Sequence, residues 1–256
     1  MSLAVLDWGI GGLGLFKSLR EELPQSPLTY WSDAGFTPYG KVSRPVLVDR
    51  LSEVLRALVA RDVTHVVIAC NAASTVLKDL SPKVGSCPAL VGVIEPTLAE
   101  LGRGPQRSLG IIGGIRTIRS GIYRVGLTAQ GHAVQQRIAQ PLSAMVEAGD
   151  LTGPRVRAQI TSILAPFRNL DGLIMACTHY PALSPIFATL IPEVELIDPA
   201  TATMAWIKRH WLGNDGLKFA GPQRHDLILT TGKAHDMQLA ARRAFGVKLA
   251  TIVEVR

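Results

Sequence analysis

Two stretches decide how this chain reads: Val66-Val67-Ile68-Ala69-Cys70-Asn71 and Leu173-Ile174-Met175-Ala176-Cys177-Thr178. Each is a short apolar run that ends in Ala-Cys and a polar residue. The two cysteines stand 107 positions apart. Apolar runs of this length read as strands buried on both faces. A second pair accompanies them: Val5-Leu6-Asp7-Trp8-Gly9 and Gly110-Ile111-Ile112-Gly113-Gly114 each carry a strand into a glycine turn. Asp7 precedes Cys70 by 63 residues, and Gly114 precedes Cys177 by the same 63. Two similar halves account for this most simply, each bringing a glycine turn and a cysteine to strand ends.

Outward from these stretches, strands alternate with helices. Leu3 to Leu6 and Leu28 to Trp31 read as strands, and Leu13, Phe16 and Leu19 suggest a helix between them. Leu47, Leu51, Val54, Leu55 and Leu58 mark one face of a longer helix. Leu109 to Ile112 is a further buried strand. The tail adds a strand at Asp226 to Thr230, a helix around Met237 to Phe245 and a strand at Leu249 to Val255, and is expected to pack back on the first half. Such alternation gives an α/β fold with parallel sheets covered by helices. Ligands then collect at the carboxyl ends of the strands.

Of the 256 residues, 47% are hydrophobic and 18% charged, which excludes a disordered chain. No apolar run reaches the roughly 18 residues of a membrane span. The start, MSLAVLDWG, lacks the features of a secretory signal. Three cysteines without close pairing (Cys70, Cys87, Cys177) argue against a disulfide framework, and a cytoplasmic location is the expectation. The formal charge of +7 comes from 27 basic and 20 acidic residues. The basic residues are scattered, so a solvated surface is expected and neither nucleic acid nor membrane is an expected partner.

A thiol titrates near 8.5, so modest help gives a thiolate at neutral pH. One thiolate can remove a proton while one thiol delivers another. Two such groups on opposite faces of a planar carbanion would invert a carbon centre, which is what a cofactor-free racemase requires. If the halves face each other, Cys70 and Cys177 converge on one cleft. His179 follows Cys177 by two residues and, on extended backbone, would point the same way and tune the thiol. Asp7 could serve Cys70 likewise. Cys177-Thr178-His179 has poor spacing for zinc, and no metal is expected. A rival comes from Gly9-Ile10-Gly11-Gly12-Leu13-Gly14, which fits G-x-G-x-x-G between strand and helix, with Asp33 placed 19 residues on. It would make the chain an NAD(P)-binding oxidoreductase. Against this, Asp7 would face the pyrophosphate with like charge.

With these residues in view, the chain resembles the glutamate racemases of the aspartate/glutamate racemase superfamily over nearly its whole length. The likeness rests on Asp7-Trp8-Gly9-Ile10-Gly11-Gly12, on Pro38-Tyr39-Gly40 after the second strand, and on Ala69-Cys70-Asn71-Ala72-Ala73. It continues through Glu95-Pro96, Val146-Glu147-Ala148-Gly149, Cys177-Thr178-His179-Tyr180-Pro181 and Thr230-Thr231-Gly232. The resemblance implies two similar α/β domains with the active site in the cleft between them, here 1–96 plus 204–256 and 97–203. It implies a two-base interconversion of L- and D-glutamate with no cofactor, and a role in supplying D-glutamate for cell-wall peptidoglycan. Cys70 and Cys177 would be the bases, assisted by Asp7, His179 and Glu147. Trp8, Pro38, Tyr39, Gly40, Asn71, Ala72, Thr117 and Thr178 would surround a small acidic amino acid. The oligomeric state stays open, with a homodimer as one outcome.

Departures from the family pattern bear on specificity. Trp8 replaces a serine and Ala72 a threonine that contact substrate in the family. Gly114 and Arg116 stand where threonine and a small residue are usual. Each lost hydrogen bond to a charged group costs roughly 1.5–3 kcal/mol. Changed specificity or weak glutamate activity follows unless Arg116 or another group compensates.

Overall fold

A computed structural model describes residues 2–80, 84, 87–212 and 226–255. Residues 213–225 of the expected first domain lie outside the described residues. Ten strands are present among them. They are β1 (Leu3–Asp7), β2 (Leu28–Ser32), β3 (His65–Ile68), β4 (Ala89–Gly92), β5 (Ser108–Gly113), β6 (Ala133–Ile138), β7 (Gly172–Ala176), β8 (Glu195–Ile197), β9 (Leu227–Thr230) and β10 (Ile252–Glu254). They form a six-stranded sheet in the order β10-β9-β2-β1-β3-β4 and a four-stranded sheet in the order β6-β5-β7-β8. Every pairing is parallel.

The central strands are fully buried along their length, as parallel strands covered on both faces must be. Helices supply the cover through one apolar face each. Arg44–Val59 starts at Ser43-Arg44-Pro45 and buries Leu47, Leu51, Val54, Leu55 and Leu58 in the core beside Leu6 and Ile68. The tail strands pair onto β2, so the C-terminal segment completes the first sheet. The helix Pro199–His210 runs unbroken through the expected junction at 203/204.

The two sheets repeat one topology. Strands β2-β1-β3-β4 and β6-β5-β7-β8 have the same order in chain sequence. In each, the chain leaves the first strand toward one side and returns on the other. The crevice between those two strands is the switch point at which open α/β sheets bind ligands. In the first sheet it is flanked by Asp7, at the end of β1, and Cys70, just past β3. In the second it is flanked by Gly114 and Cys177, just past β5 and β7.

Candidate active site

The carboxyl ends of both sheets open on one cleft of about 480 Å³. Cys70, Cys177, Asp7, His179 and Glu147 line it, as do Trp8, Pro38, Tyr39, Gly40, Asn71, Ala72, Thr117 and Thr178. The structure therefore brings the two cysteines together with the residues that the resemblance placed round the substrate.

On the second-half side, His179 links a thiol to a carboxylate. Its Nδ1 lies 3.7 Å from Cys177 Sγ, and its Nε2 lies 2.5 Å from Glu147 Oε1. Glu147 reaches it from the helix Pro141–Ala148. Burial alone would push the imidazole pKa down. The hydrogen bonds to Cys177 and Glu147, and their negative charge, outweigh it and raise the value well above 6.5. The reason expected for the Cys177–His179 contact does not hold. The backbone leaves the strand after Ala176 and has turned to helical angles at His179, so a tight turn and not extended backbone brings the two together.

On the first-half side, Asp7 is 1% exposed. Its Oδ2 accepts the backbone N–H of Gly9 at 3.3 Å and of Gly12 at 3.1 Å, and the Thr178 hydroxyl lies 3.4 Å from Oδ1. Burial raises its pKa, against the opposing pull of His179 and the two amides. Cys70 precedes the short helix Asn71–Ser74. Burial pushes its thiol well up, and the Asp7 charge adds to this, while the amides of Ala73 and Ala72 oppose it.

These contacts correct the dinucleotide alternative. The amides of the glycine turn point at the protein's own Asp7 carboxylate. A Cβ on Gly11 would sit 2.3 Å from Thr178 Oγ1, and one on Gly9 would sit 2.8 Å from Glu147 Oε1. Close approach of Thr178 from the opposite half therefore requires glycine at position 11. Asp33 is equally committed. Arg50 holds both its oxygens at 3.0 and 2.6 Å, and the hydroxyls of Tyr39 and Thr231 donate to it at 2.8 and 2.9 Å. It is 0% exposed and has no access to a ribose.

Several residues act where the sequence did not place them. Ser143 Oγ is 3.4 Å from Cys177 Sγ. Ser143 sits four residues before Glu147, on the same helix face, and that spacing was the available signal. Lys41, Gly114, Gln140, Pro141, Ala144 and Ala176 complete the lining. The Gln140 side-chain oxygen accepts the Ile115 N–H at 3.1 Å. Asn71 Oδ1 accepts the Tyr123 hydroxyl at 2.8 Å. The Trp8 indole N–H donates to the Phe36 carbonyl at 2.8 Å. Arg116, considered as a substitute for lost substrate contacts, instead bonds the carbonyls of Tyr39 and Val42. Among the described residues, no cluster of three or more His, Cys, Asp or Glu side chains could hold a metal ion, and no helix is long and apolar enough to cross a membrane.

The chain is thus a doubly repeated α/β protein with a thiol from each half in one cleft. The Asp/Glu/Hydantoin racemase family model matches residues 14–207, and the chain belongs to this family of isomerases. A glutamate racemase of Bacillus cereus is 30% identical across 99% of this chain and 96% of its own. One from Oceanobacillus iheyensis is 34% identical across 79% and 76%. The crystal structure of a Thermus thermophilus glutamate racemase with β-chloro-D-alanine superposes with a TM-score of 0.86 at 28% identity, covering 99% of this chain and 96% of that one. The Francisella tularensis glutamate racemase in complex with D-glutamate shares the fold with a TM-score of 0.88 at 23% identity, covering 100% and 97%.

Proposed function

We propose that this chain interconverts L- and D-glutamate by proton transfer between Cα and the paired thiols of Cys70 and Cys177. The observation that carries this is that the two cysteines, each just past a strand at its sheet's switch point, line a single cleft. The thiolate on one face takes the α-proton and leaves a planar carbanion. The thiol on the other face returns a proton and becomes the thiolate. No electrons are exchanged, so these groups suffice without a cofactor. The raised pKa of His179 supports an imidazolium beside Cys177, and Glu147 holds the ring. The burial of Cys70 beside Asp7 supports a neutral thiol there, ready to deliver its proton. The substrate would lie among Trp8, Asn71, Ala72, Thr117, Thr178 and the Pro38-Tyr39-Gly40 segment. Glutamate is assigned because the relatives named above are glutamate racemases, and one of them holds D-glutamate.

The test is incorporation of deuterium at Cα of L- and D-glutamate in D₂O, followed by NMR without added cofactor. Exchange is expected with the native enzyme and should fall by at least about a hundredfold in Cys70→Ser and in Cys177→Ser. Retained turnover in either variant overturns the two-base mechanism. Trp8 and Ala72 favour a second reading, a racemase of the same design for a different amino acid. Exchange confined to another member of an amino-acid panel would establish it. We further propose units with junctions near residues 96 and 203, a cytoplasmic enzyme with a homodimer as one outcome for its assembly, and D-glutamate supply for peptidoglycan as its role.

A further inference from the structure

Arg116 stands on the helix Ile115–Ser120, which follows a strand of the second sheet, yet its guanidinium is bonded to the loop that follows β2 of the first. Its Nε donates to the Tyr39 carbonyl at 2.9 Å, and a terminal nitrogen donates to the Val42 carbonyl. Tyr39 is held from inside as well, because its hydroxyl donates to Asp33 Oδ2 at 2.8 Å. The loop is thus fixed by its own half and clasped by the other. The fit is close, since a Cβ on Gly40 would meet the Gln140 side-chain oxygen at 3.3 Å.

The Tyr39 carbonyl and the Gly40 N–H belong to one peptide group. Gly40 lines the cleft, and among the described residues its N–H has no partner. A peptide whose carbonyl accepts from a cation becomes a stronger N–H donor, because linked hydrogen bonds polarise one another. The positive charge behind the loop also favours an anion in front of it. Backbone donors matter more here because Trp8 and Ala72 stand where hydroxyls are expected.

We infer that Arg116 is a positioning residue that clasps the 38–42 loop across the cleft and prepares the Gly40 N–H to bind a carboxylate of the substrate. This rests on the proposed function for the acidic nature of the ligand. It assigns to Arg116 a part in ground-state binding and none in proton transfer.

Three measurements on Arg116→Ala and Arg116→Lys test it. Hydrogen exchange over residues 36–43 in the substrate-free protein should quicken in Arg116→Ala, at least about tenfold, and less in Arg116→Lys. The KM for D-glutamate should rise about tenfold or more in Arg116→Ala with kcat within a fewfold, and Arg116→Lys should recover part of the loss. Calorimetric binding of glutarate, a dicarboxylate without an α-amino group, should weaken in parallel. Unchanged loop exchange overturns the clasp. A loosened loop with unchanged KM and glutarate affinity overturns the role in carboxylate binding, as does a fall in kcat alone. If the native protein exchanges no glutamate α-proton yet binds glutarate in an Arg116-dependent way, the proposed function fails and this inference stands. If it binds no glutarate, this inference fails.

Discussion

Cys177 draws its chemical setting from His179 and Glu147, which arrive from different segments of the chain. Burial opposes the charge on this imidazole, and the Cys177 sulfur and the Glu147 carboxylate beside it outweigh that cost and push its pKa up. A histidine whose pKa is raised on folding adds stability that is complete below its unfolded value of about 6.5 and is lost as pH climbs through the folded value. Glu147→Gln should therefore destabilise the fold most near pH 6, by about 1–3 kcal/mol. Thermal unfolding of both proteins from pH 6 to 10 should show the gap narrowing, and a gap constant with pH would mean that the pair is not charged. The same variant should lower kcat about ten- to a hundredfold. Asp7, Cys70, Cys177 and His179 were legible because strand ends and spacing locate them without knowledge of the packing, whereas Glu147, Thr117 and the Pro38-Tyr39-Gly40 segment were reached only through the family resemblance. Ser143 was visible only through its spacing from Glu147. The bonds of Arg116 to Tyr39 and Val42, and of Tyr123 to Asn71, join segments more than fifty residues apart, and no local pattern announces them.

At the scale of elements, the turn between β1 and the helix Leu13–Glu22 separates two uses of glycine. A Cβ at Gly11 would meet Thr178 Oγ1 at 2.3 Å and the Thr178 backbone carbon at 2.8 Å, whereas one at Gly14 would meet nothing within 4 Å. Gly11→Ala must push the cysteine loop of the second half away from β1, and we expect a loss of about 1–3 kcal/mol together with most of the activity. Gly14→Ala lies in the first turn of the helix and should be neutral or stabilising by up to about 1 kcal/mol. Denaturant unfolding and the deuterium assay on both variants decide the matter. Equal tolerance at the two positions would contradict the close approach. The strands that went unread have a common cause. β4, β6 and β8 each form the edge of a sheet. Ala133–Ile138 is half-exposed and carries Gln135, Gln136 and Arg137, and Glu195–Ile197 has three residues. An edge strand needs no continuous apolar run, and three residues show no period, so hydrophobic patterning finds the buried centre of a sheet before its margins.

Across the whole molecule, the repeat that the 63-residue spacing suggested is one of strand order and not of register, since Leu6 pairs with Ile68 and Gly113 with Ala176. Asp7 with Cys70 and Gly114 with Cys177 flank equivalent crevices in two sheets of the same strand order. A repeat alone does not say how the halves meet, and the contacts between them are where the molecule's specificity resides. One is the hydrogen bond from the Tyr123 hydroxyl to Asn71 Oδ1 at 2.8 Å, between a helix that follows β5 and the turn that carries Cys70. Both residues are buried, at 2% and 3% exposure. Tyr123→Phe keeps the ring and removes the donor, leaving the Asn71 carbonyl without its partner at a cost of about 1–3 kcal/mol. For a chain of this size that corresponds to a fall in Tm of roughly 2–4 °C per kcal/mol. The bond also fixes which way the Asn71 amide faces beside Cys70, so the variant should bind D-glutamate more weakly, with a higher KM and little change in the folded circular-dichroism spectrum. Unchanged Tm and KM would mean that this bond adds nothing to the junction of the halves beyond their other contacts and that Asn71 is oriented by something other than Tyr123.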